Sequence, residues 1–182
     1  RGFKVHEYLD GMALPRGNYA WPRLELYGIE RAEILRGPGS VLYGTTPPGG
    51  LYNFVSKQPS AQESGAINLQ VGDPKRTQIG TDLTGKLDES GHWLYRLTGV
   101  VRRGETQVDH IEDDREFLQP SITYRPDEKT AVTLMAYHYN DNSKSVQFLP
   151  IEGSLKSNPN GLLPRSLFIG EPDYDGFKRK QN

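Results

Sequence analysis

The chain has 182 residues, and its 22 Lys plus Arg against 23 Asp plus Glu give a formal net charge of −1. This near-neutral balance argues against a general nucleic-acid binder, which carries a clear basic excess. Cysteine is absent, so the sequence offers neither a disulfide framework nor a thiolate metal site.

The first third of the chain is dense in glycine, proline and short apolar segments. Residues 36–50 alone contain five glycines and three prolines. On either side, Ala32–Leu35 and Leu51–Val55 are predicted as short strands. Between them, Gly39–Tyr43 is predicted as one or two helical turns closed by Gly44 in the left-handed conformation. A segment with so little regular structure is expected to pack against something larger.

After residue 59 apolar and polar residues alternate in segments of about ten residues, a pattern typical of β-strands. Five strands are predicted, at Ala66–Val71, Thr77–Leu87, Trp93–Arg103, Glu116–Arg125 and Ala131–Tyr139. In the third strand one face carries Trp93, Tyr95, Leu97 and Val101, and the other carries Arg96, Thr98 and Arg102. The fourth strand alternates in the same way, whereas the faces of the fifth are not assigned. Pro120 removes one ladder donor from the fourth strand.

The connections alternate between short polar turns, near residues 88–92 and 126–130, and longer segments, at 104–115 and beyond 140. Such strands and loops are typical of an outer-membrane β-barrel, with apolar residues outward, polar residues inward and aromatic girdles at the interfaces. Aromatic residues suited to the girdles are Trp93, Tyr95, Tyr124, Tyr137 and Tyr139. A soluble β-sandwich also has alternating strands. Periodicity alone leaves both open, and strand and loop lengths favour the barrel.

One stretch carries a family resemblance. The sequence IERAEILRGPGSVLYGTTPPGGLYNFVSKQP, Ile29–Pro59, resembles the plug-domain signature of TonB-dependent outer-membrane siderophore receptors. The motifs RGF and YLDG, near the start of the chain, are similar to the same plug. The later segments YRLTGVVRR, SITYRPDEKTAVTLMAYHYN and FLPIEGSLKSNPNGLLP are similar to the hydroxamate branch, whose ligands are of the ferrichrome or ferrioxamine type.

The resemblance implies a mainly β fold. Residues 1–58 would form the C-terminal part of a plug domain, a small mixed α+β sheet. Residues 59–182 would form the first antiparallel strands of a 22-stranded transmembrane β-barrel. On this interpretation the chain is a piece of a receptor whose TonB box, signal sequence and remaining strands lie elsewhere.

The resemblance also implies transport rather than catalysis. Such a receptor imports a ferric siderophore across the outer membrane of a Gram-negative cell, driven by the TonB energy-transducing complex. Its other partner is outer-membrane lipid, and no nucleic acid is expected. Because the cargo is an Fe(III)–siderophore that arrives already chelated, no cofactor, metal ligand or catalytic residue is expected. Glu112, Asp113 and Asp114 are accordingly expected in a solvated loop rather than at a cation site.

Carried over position by position, the resemblance implies siderophore contacts at Arg1, Tyr19, Trp21, Tyr27 and Phe148. A guanidinium at Arg1 would donate charge-assisted hydrogen bonds to hydroxamate oxygens, with an ion pair inside the plug as the alternative. The aromatic side chains would supply amphipathic contact surface, although Trp21 is also suited to packing within the plug.

Glu33 and Arg36 are expected to form ion pairs between plug and barrel wall, which would act as a latch. Two features depart from the ferrichrome-type pattern: a short segment between RGF and YLDG, and Val146 where an aromatic residue is expected. These departures concern the ferrichrome assignment and not the siderophore one. Separately, a catecholate siderophore, haem or cobalamin is an alternative cargo. A soluble β-rich binding module is the alternative from another class.

Overall fold

The structure is a computed structural model that describes residues 6–15, 23–37, 39–44, 46, 48–143, 149–173 and 178–181. The first sheet contains four strands in the order β2-β1-β4-β3. Its elements are β1 His6–Leu9, β2 Met12–Ala13, β3 Ile29–Leu35, the short helix α1 Ser40–Tyr43, and β4 Leu51–Ser56. Strand β1 runs parallel to β4, and β3 runs antiparallel to it.

Aromatic and aliphatic side chains hold the first sheet against α1. Tyr8 and Leu51 are buried, with 4% and 2% of their surface exposed. The Tyr8 hydroxyl donates to the Tyr43 carbonyl at 3.1 Å, and the two rings meet edge to face at 5.1 Å. Gly44 follows the helix with φ +70°, the left-handed closure that the sequence predicts. The predicted strands and the predicted helix of this region are confirmed.

The second sheet holds the long strands in the order β11-β10-β8-β7-β6-β5, with β9 also paired to β8. Short connections between consecutive long strands make an antiparallel meander, because parallel neighbours need crossovers of a dozen or more residues. The strands are β5 Ser64–Gly72, β6 Arg76–Lys86, β7 Trp93–Arg103, β8 Asp113–Tyr124, β9 Val132–Met135, β10 His138–Ser143 and β11 Lys178–Gln181. The predicted bounds of β7 are confirmed.

The fifth predicted strand is not continuous, which corrects the expectation of one strand at Ala131–Tyr139. It is interrupted at residues 136–137, between β9 and β10. The pairing of Leu118 with His138 places Pro120 opposite Ala136. The Ala136 N–H donates to the Pro120 carbonyl at 3.0 Å, but proline has no N–H to return the bond. The ladder is therefore broken opposite Pro120.

The chain divides into two units, each described by itself. One comprises residues 1–63, 84–96 and 121–133, and the other comprises residues 64–83, 97–120 and 134–182. The predicted domain boundary between residues 58 and 59 concerns domains of the family, and it stays a prediction.

Strands β6, β7 and β8 bury polar side chains and expose apolar ones, although Leu94 and Val100 are also buried on β7. On β7, Thr98 and Arg102 are 1% and 9% exposed, whereas Trp93 and Val101 are 42% and 49% exposed. On β8 the buried set is Phe117, Gln119, Ser121 and Thr123, and the outward set is Leu118, Pro120, Ile122 and Tyr124. A water-soluble sandwich buries its apolar face instead. The burial pattern therefore favours the membrane barrel over the sandwich.

One part of the predicted aromatic girdle is wrong. Tyr139 is completely buried and does not lie on the outward face, whereas Trp93 and Tyr124 are outward and in ring contact at 4.5 Å. Separately, the described helices include none with the length and apolar character to cross a bilayer.

Candidate functional site

A carboxylate network ties the strands of the first sheet together around Glu33. One Glu33 oxygen accepts from Asn53 Nδ2 at 3.0 Å, and the other accepts from Arg31 Nε at 2.9 Å. Asn53 is buried, and its own Oδ1 accepts from the Gly11 N–H at 3.0 Å. The hydrogen bond from Asn53, and then that from Arg31, hold the pKa of the Glu33 carboxyl below its ordinary value. Both partners lie in the first sheet and stabilise the ionised form.

A second carboxylate, Asp10, fixes the turn after β1 to the end of β4. Its two oxygens accept from the N–H of Ser56 at 2.8 Å and from the Ser56 hydroxyl at 2.7 Å. Asp10 has φ +50°, and its N–H donates to the Phe54 carbonyl at 2.9 Å. The aspartate of YLDG is therefore a structural residue of the first sheet.

Gly50 is the residue of the glycine- and proline-rich stretch whose identity the backbone most clearly requires. Its φ is +108°, and a Cβ there would lie 2.0 Å from the Leu35 carbonyl oxygen. The chain returns into β4 only because this position has no side chain.

Tyr27 lies in a single 3-10 turn, Leu26–Gly28, directly before β3. The carboxylate of Glu25 caps this turn by accepting from the Tyr27 N–H at 3.3 Å. Lys57 Nζ lies 4.7 Å from the centroid of the half-buried Tyr27 ring, a favourable cation–π arrangement. One face of the ring is thus oriented by the protein itself. The role of Tyr27 as a siderophore contact stays a prediction.

The structure describes only some of the other expected site residues. Arg1, Tyr19, Trp21 and Phe148 lie outside the described residues. Arg36 is exposed and makes no ion pair with another described residue. Pairing of Glu33 and Arg36 with a barrel wall stays a prediction.

Sequence reasoning missed Arg96, which joins the segment after β4 to the long strands within one unit. Its NH1 lies 3.0 Å from the Gln58 carbonyl and 3.5 Å from Glu30 Oε2. The Arg96 side chain is 15% exposed and that of Glu30 is 50% exposed. The available signal was an arginine on the same face of β7 as Thr98 and Arg102, close to the start of the strand.

A threonine supports the same place from β6. Thr84 is buried, and its hydroxyl accepts from the Ser60 N–H at 2.9 Å while donating to the Tyr95 carbonyl at 2.8 Å. Residues 57–60, hereafter the junction segment, are therefore bonded to both β6 and β7.

A charged cluster lies where β7 ends and β8 begins. Arg102 donates to Gln78 Oε1 at 2.7 Å and pairs with Asp113 at 3.1 Å. Arg115 pairs with the other Asp113 oxygen at 3.0 Å. Asp113 and Asp114 thus begin β8, which corrects their expected place in a solvated loop.

The loop between β7 and β8 lines a cavity of about 380 Å³, formed by residues of the segment 105–112. The loop contacts the long segment after β10 through the Asp109 N–H, which donates to the Ser166 carbonyl at 2.9 Å. His110 meets Phe168 edge to face at 5.5 Å. Within the described ranges, no group of three or more His, Asp or Glu side chains is placed to hold a metal ion.

Two features define the class of protein as an outer-membrane β-barrel with a plug. They are the first sheet with its capped turns, and long strands that bury polar side chains and expose apolar ones. Residues 1–51 match the TonB-dependent Receptor Plug Domain. The chain belongs to the TonB-dependent receptor family, and the hydroxamate siderophore receptors are among its relatives.

Two curated relatives cover nearly all of the chain. It is 38% identical over 161 residues, 88% of its length, to the ferrichrome outer membrane transporter/phage receptor of Escherichia coli K12. It is 33% identical over 178 residues, 96% of its length, to the ferrioxamine B receptor of Salmonella typhimurium. The chain spans only 22% and 25% of their respective lengths.

A solved structure supports the fold. The pyoverdine outer membrane receptor FpvA from Pseudomonas aeruginosa, bound to pyoverdine, matches with a TM-score of 0.73 at 22% identity. The match covers 79% of this chain and 22% of that chain. At this identity the likeness concerns the fold, and the number of 22 barrel strands stays a prediction.

Proposed function

We propose that the chain is part of an outer-membrane receptor that imports a ferric siderophore of the hydroxamate type by energy-coupled transport. The observation that carries the proposal is the burial pattern of β7 and β8, with mainly polar side chains inward and apolar ones outward, in the same chain as a plug. Strands of this kind enclose a polar lumen within lipid, and a plug in that lumen requires an energy source to move. The TonB complex of the inner membrane is the proposed source.

The side of cargo entry follows from the connections. The short turns at 87–92 and 125–131 follow β6 and β8, and the longer connection at 104–112 follows β7, so these connections alternate between the two ends of the strands. In outer-membrane barrels the long loops are extracellular and the short turns periplasmic. We therefore place the cavity of the segment 105–112 at the extracellular end, and the family resemblance implies the same for the proposed contact Phe148.

The proposed ligand contacts are those implied by the family: Arg1, Tyr19, Trp21, Tyr27 and Phe148. Hydroxamate and carbonyl oxygens suit an arginine donor, and tyrosine and tryptophan rings suit a partly apolar chelate. The cargo is an Fe(III)–siderophore, in which the siderophore supplies the iron ligands. We infer that the protein needs no cofactor and performs no catalysis.

Within this proposal, residues 1–58 are the plug portion and residues 59–182 the barrel portion. Glu33 and Arg36 contribute to the latch between plug and wall. Arg36→Ala is then expected to lower plug protection from hydrogen exchange and to change uptake, because a charge that loses its partner is costly. Unchanged uptake together with unchanged exchange would remove Arg36 from the latch.

Uptake of labelled cargo tests the function. Cells carrying the full-length gene are expected to accumulate iron from ferric ferrichrome or ferric ferrioxamine, and cells without it are not. A protonophore provides the matched control, because it removes the energy source without changing the receptor. Accumulation of a catecholate complex, haem or cobalamin in place of hydroxamates would reassign the cargo. No energy-dependent uptake of any of them would reject the transport function.

A further inference from the structure

We propose that the hydrogen bonds of Arg96 and Thr84 pin the junction segment, that is, hold it against strands β7 and β6. When the plug moves, residues 58–60 stay bonded to these strands, and the plug pivots at this point. The inference rests on the proposed transport function, because only a receptor of that kind moves its plug. Arg96 is a positioning residue in this scheme and contacts no cargo.

The wall-side contacts are sheltered. The Arg96 guanidinium reaches the Gln58 carbonyl at 3.0 Å, and its side chain is 15% exposed. The hydroxyl of the buried Thr84 accepts from the Ser60 N–H at 2.9 Å. Sheltered and charge-assisted hydrogen bonds are the stronger class. Two positions of the junction segment, Gln58 and Ser60, are thereby bonded to the neighbouring strands β7 and β6.

The plug-side contact is weaker. The Glu30 carboxylate lies 3.5 Å from the same guanidinium, at the limit of hydrogen bonding, and its side chain is half exposed. Exposed ion pairs of this length contribute little. Two further plug-side ties are made by Lys57: its N–H donates to the Gly28 carbonyl at 3.0 Å, and its Nζ lies 4.7 Å from the centroid of the Tyr27 ring. When force acts on the plug, the Glu30 pair is lost first and the pinned residues stay with the wall.

The chain offers a cleavage site inside the junction segment, the bond between Lys57 and Gln58. An endoproteinase that cuts after lysine reports access to this bond in the purified full-length receptor in detergent micelles, where both ends of the barrel are open to solvent. Arg96→Gln removes the pin without changing any lysine, and cleavage there is expected to accelerate at least about tenfold, since hydrogen bonds to charged groups are worth that much or more. Unchanged cleavage would overturn the proposal.

Arg103→Gln is the matched control. It removes an arginine from the same strand, one that pairs with Glu116 at the other end. Cleavage after Lys57 is expected to remain at the wild-type rate. An equal acceleration would mean that loss of any β7 arginine loosens the receptor, which would contradict a specific pin.

Two further variants separate wall from plug. Thr84→Val, which removes the acceptor of the Ser60 N–H, is expected to accelerate cleavage several-fold, and it carries the test if Arg96→Gln fails to fold. Glu30→Gln is expected to change cleavage less than about twofold, because the exposed pair contributes little. Acceleration by Glu30→Gln as large as that by Arg96→Gln would show that the ion pair, rather than the wall, holds the segment.

The cleavage assay requires no cargo, and uptake by the wild-type receptor does not depend on the proposed role of Arg96. Absence of ferric siderophore uptake with the expected cleavage pattern would reject the proposed function and keep the pin. The reverse result would keep the function and reject the pin.

Discussion

At the scale of single residues, Gly50 shows how backbone geometry fixes an amino acid. Gly50→Ala is expected to destabilise the first sheet by about 2–4 kcal/mol, because it combines left-handed strain with a contact against backbone. A Cβ at Gly50 would lie 2.0 Å from the Leu35 oxygen. Val41 is 96% exposed, and the sequence has no cysteine. A fluorophore attached through Val41→Cys would therefore report the urea concentration at the midpoint of unfolding of the first sheet.

Gly44→Ala is the control for this variant. Gly44 has φ +70°, yet nothing lies within 4 Å of its added Cβ. Its cost is therefore expected to be only the left-handed penalty of about 1 kcal/mol. Equal midpoints for the two variants would show that the contact with Leu35 is not limiting.

Glu33 makes the stability of the first sheet depend on pH. Its folded pKa is below the ordinary value of 4.5, chiefly through the hydrogen bond from Asn53. The contribution to stability is therefore fully present above about pH 4.5 and is lost as the pH falls through the folded pKa. Glu33→Gln is expected to lower the urea midpoint at pH 7 and to differ much less from wild type at pH 3. A difference of equal size at both pH values would contradict this linkage.

Residue roles were only partly predictable from sequence. The glycine and YLDG motifs indicated a plug, and the structure explains Gly50 and Asp10 locally. Arg96 could not be predicted to contact Glu30, because the two residues are 66 positions apart and no local pattern encodes that pairing. The pair of Asp113 with Arg102 was missed because it depends on strand register, whereas Arg115 is a neighbour of Asp113 two positions along β8, and that pair was open to local reasoning.

At the scale of elements, the long strands were predictable because alternation and turn residues are local signals. The bounds of β7 were predicted correctly, and the outward set of β8 agrees with its predicted apolar face. The break between β9 and β10 was not predicted, although Pro120 was noted, because its effect falls on the neighbouring strand. Strand β8 also begins three residues earlier than predicted, at Asp113, where charged pairs replace apolar alternation.

The outward face of β8 gives a direct test of the lipid interpretation. Ile122 is 38% exposed and lies two residues from Tyr124, whose ring pairs with Trp93. At about 3.4 Å a residue, Ile122 is inside the apolar band but not at its centre. Ile122→Arg is expected to cost about 2 kcal/mol for the receptor folded in lipid vesicles, measured by urea unfolding.

Ile151→Arg is the matched control for the lipid face. Ile151 is 60% exposed and lies outside the long strands. An exposed position in water tolerates such a change within about 0.5 kcal/mol. If Ile122→Arg were as well tolerated as Ile151→Arg, the outward face of β8 would be in contact with water rather than lipid.

At the scale of the whole molecule, the two edge strands of the second sheet determine whether the 182-residue chain can form a pore alone. Strand β5 is at one end of the described sheet and β11 is at the other, and all nine residues of β5 are exposed. Each unpaired backbone group in hydrocarbon costs several kcal/mol. An open sheet edge is therefore tolerated in lipid only when further strands cover it.

The isolated 182-residue chain is accordingly expected not to conduct as a pore. Planar-bilayer recordings of the purified chain should show no stable single-channel steps, and the full-length receptor should insert when refolded under the same conditions. Chain length alone does not decide the outcome, since barrels with eight strands exist. The deciding factor is that β5 and β11 have free edges in the described sheet. Reproducible conductance steps from the isolated chain would mean that these edges find partners, either by closing on one another or by pairing with a second copy.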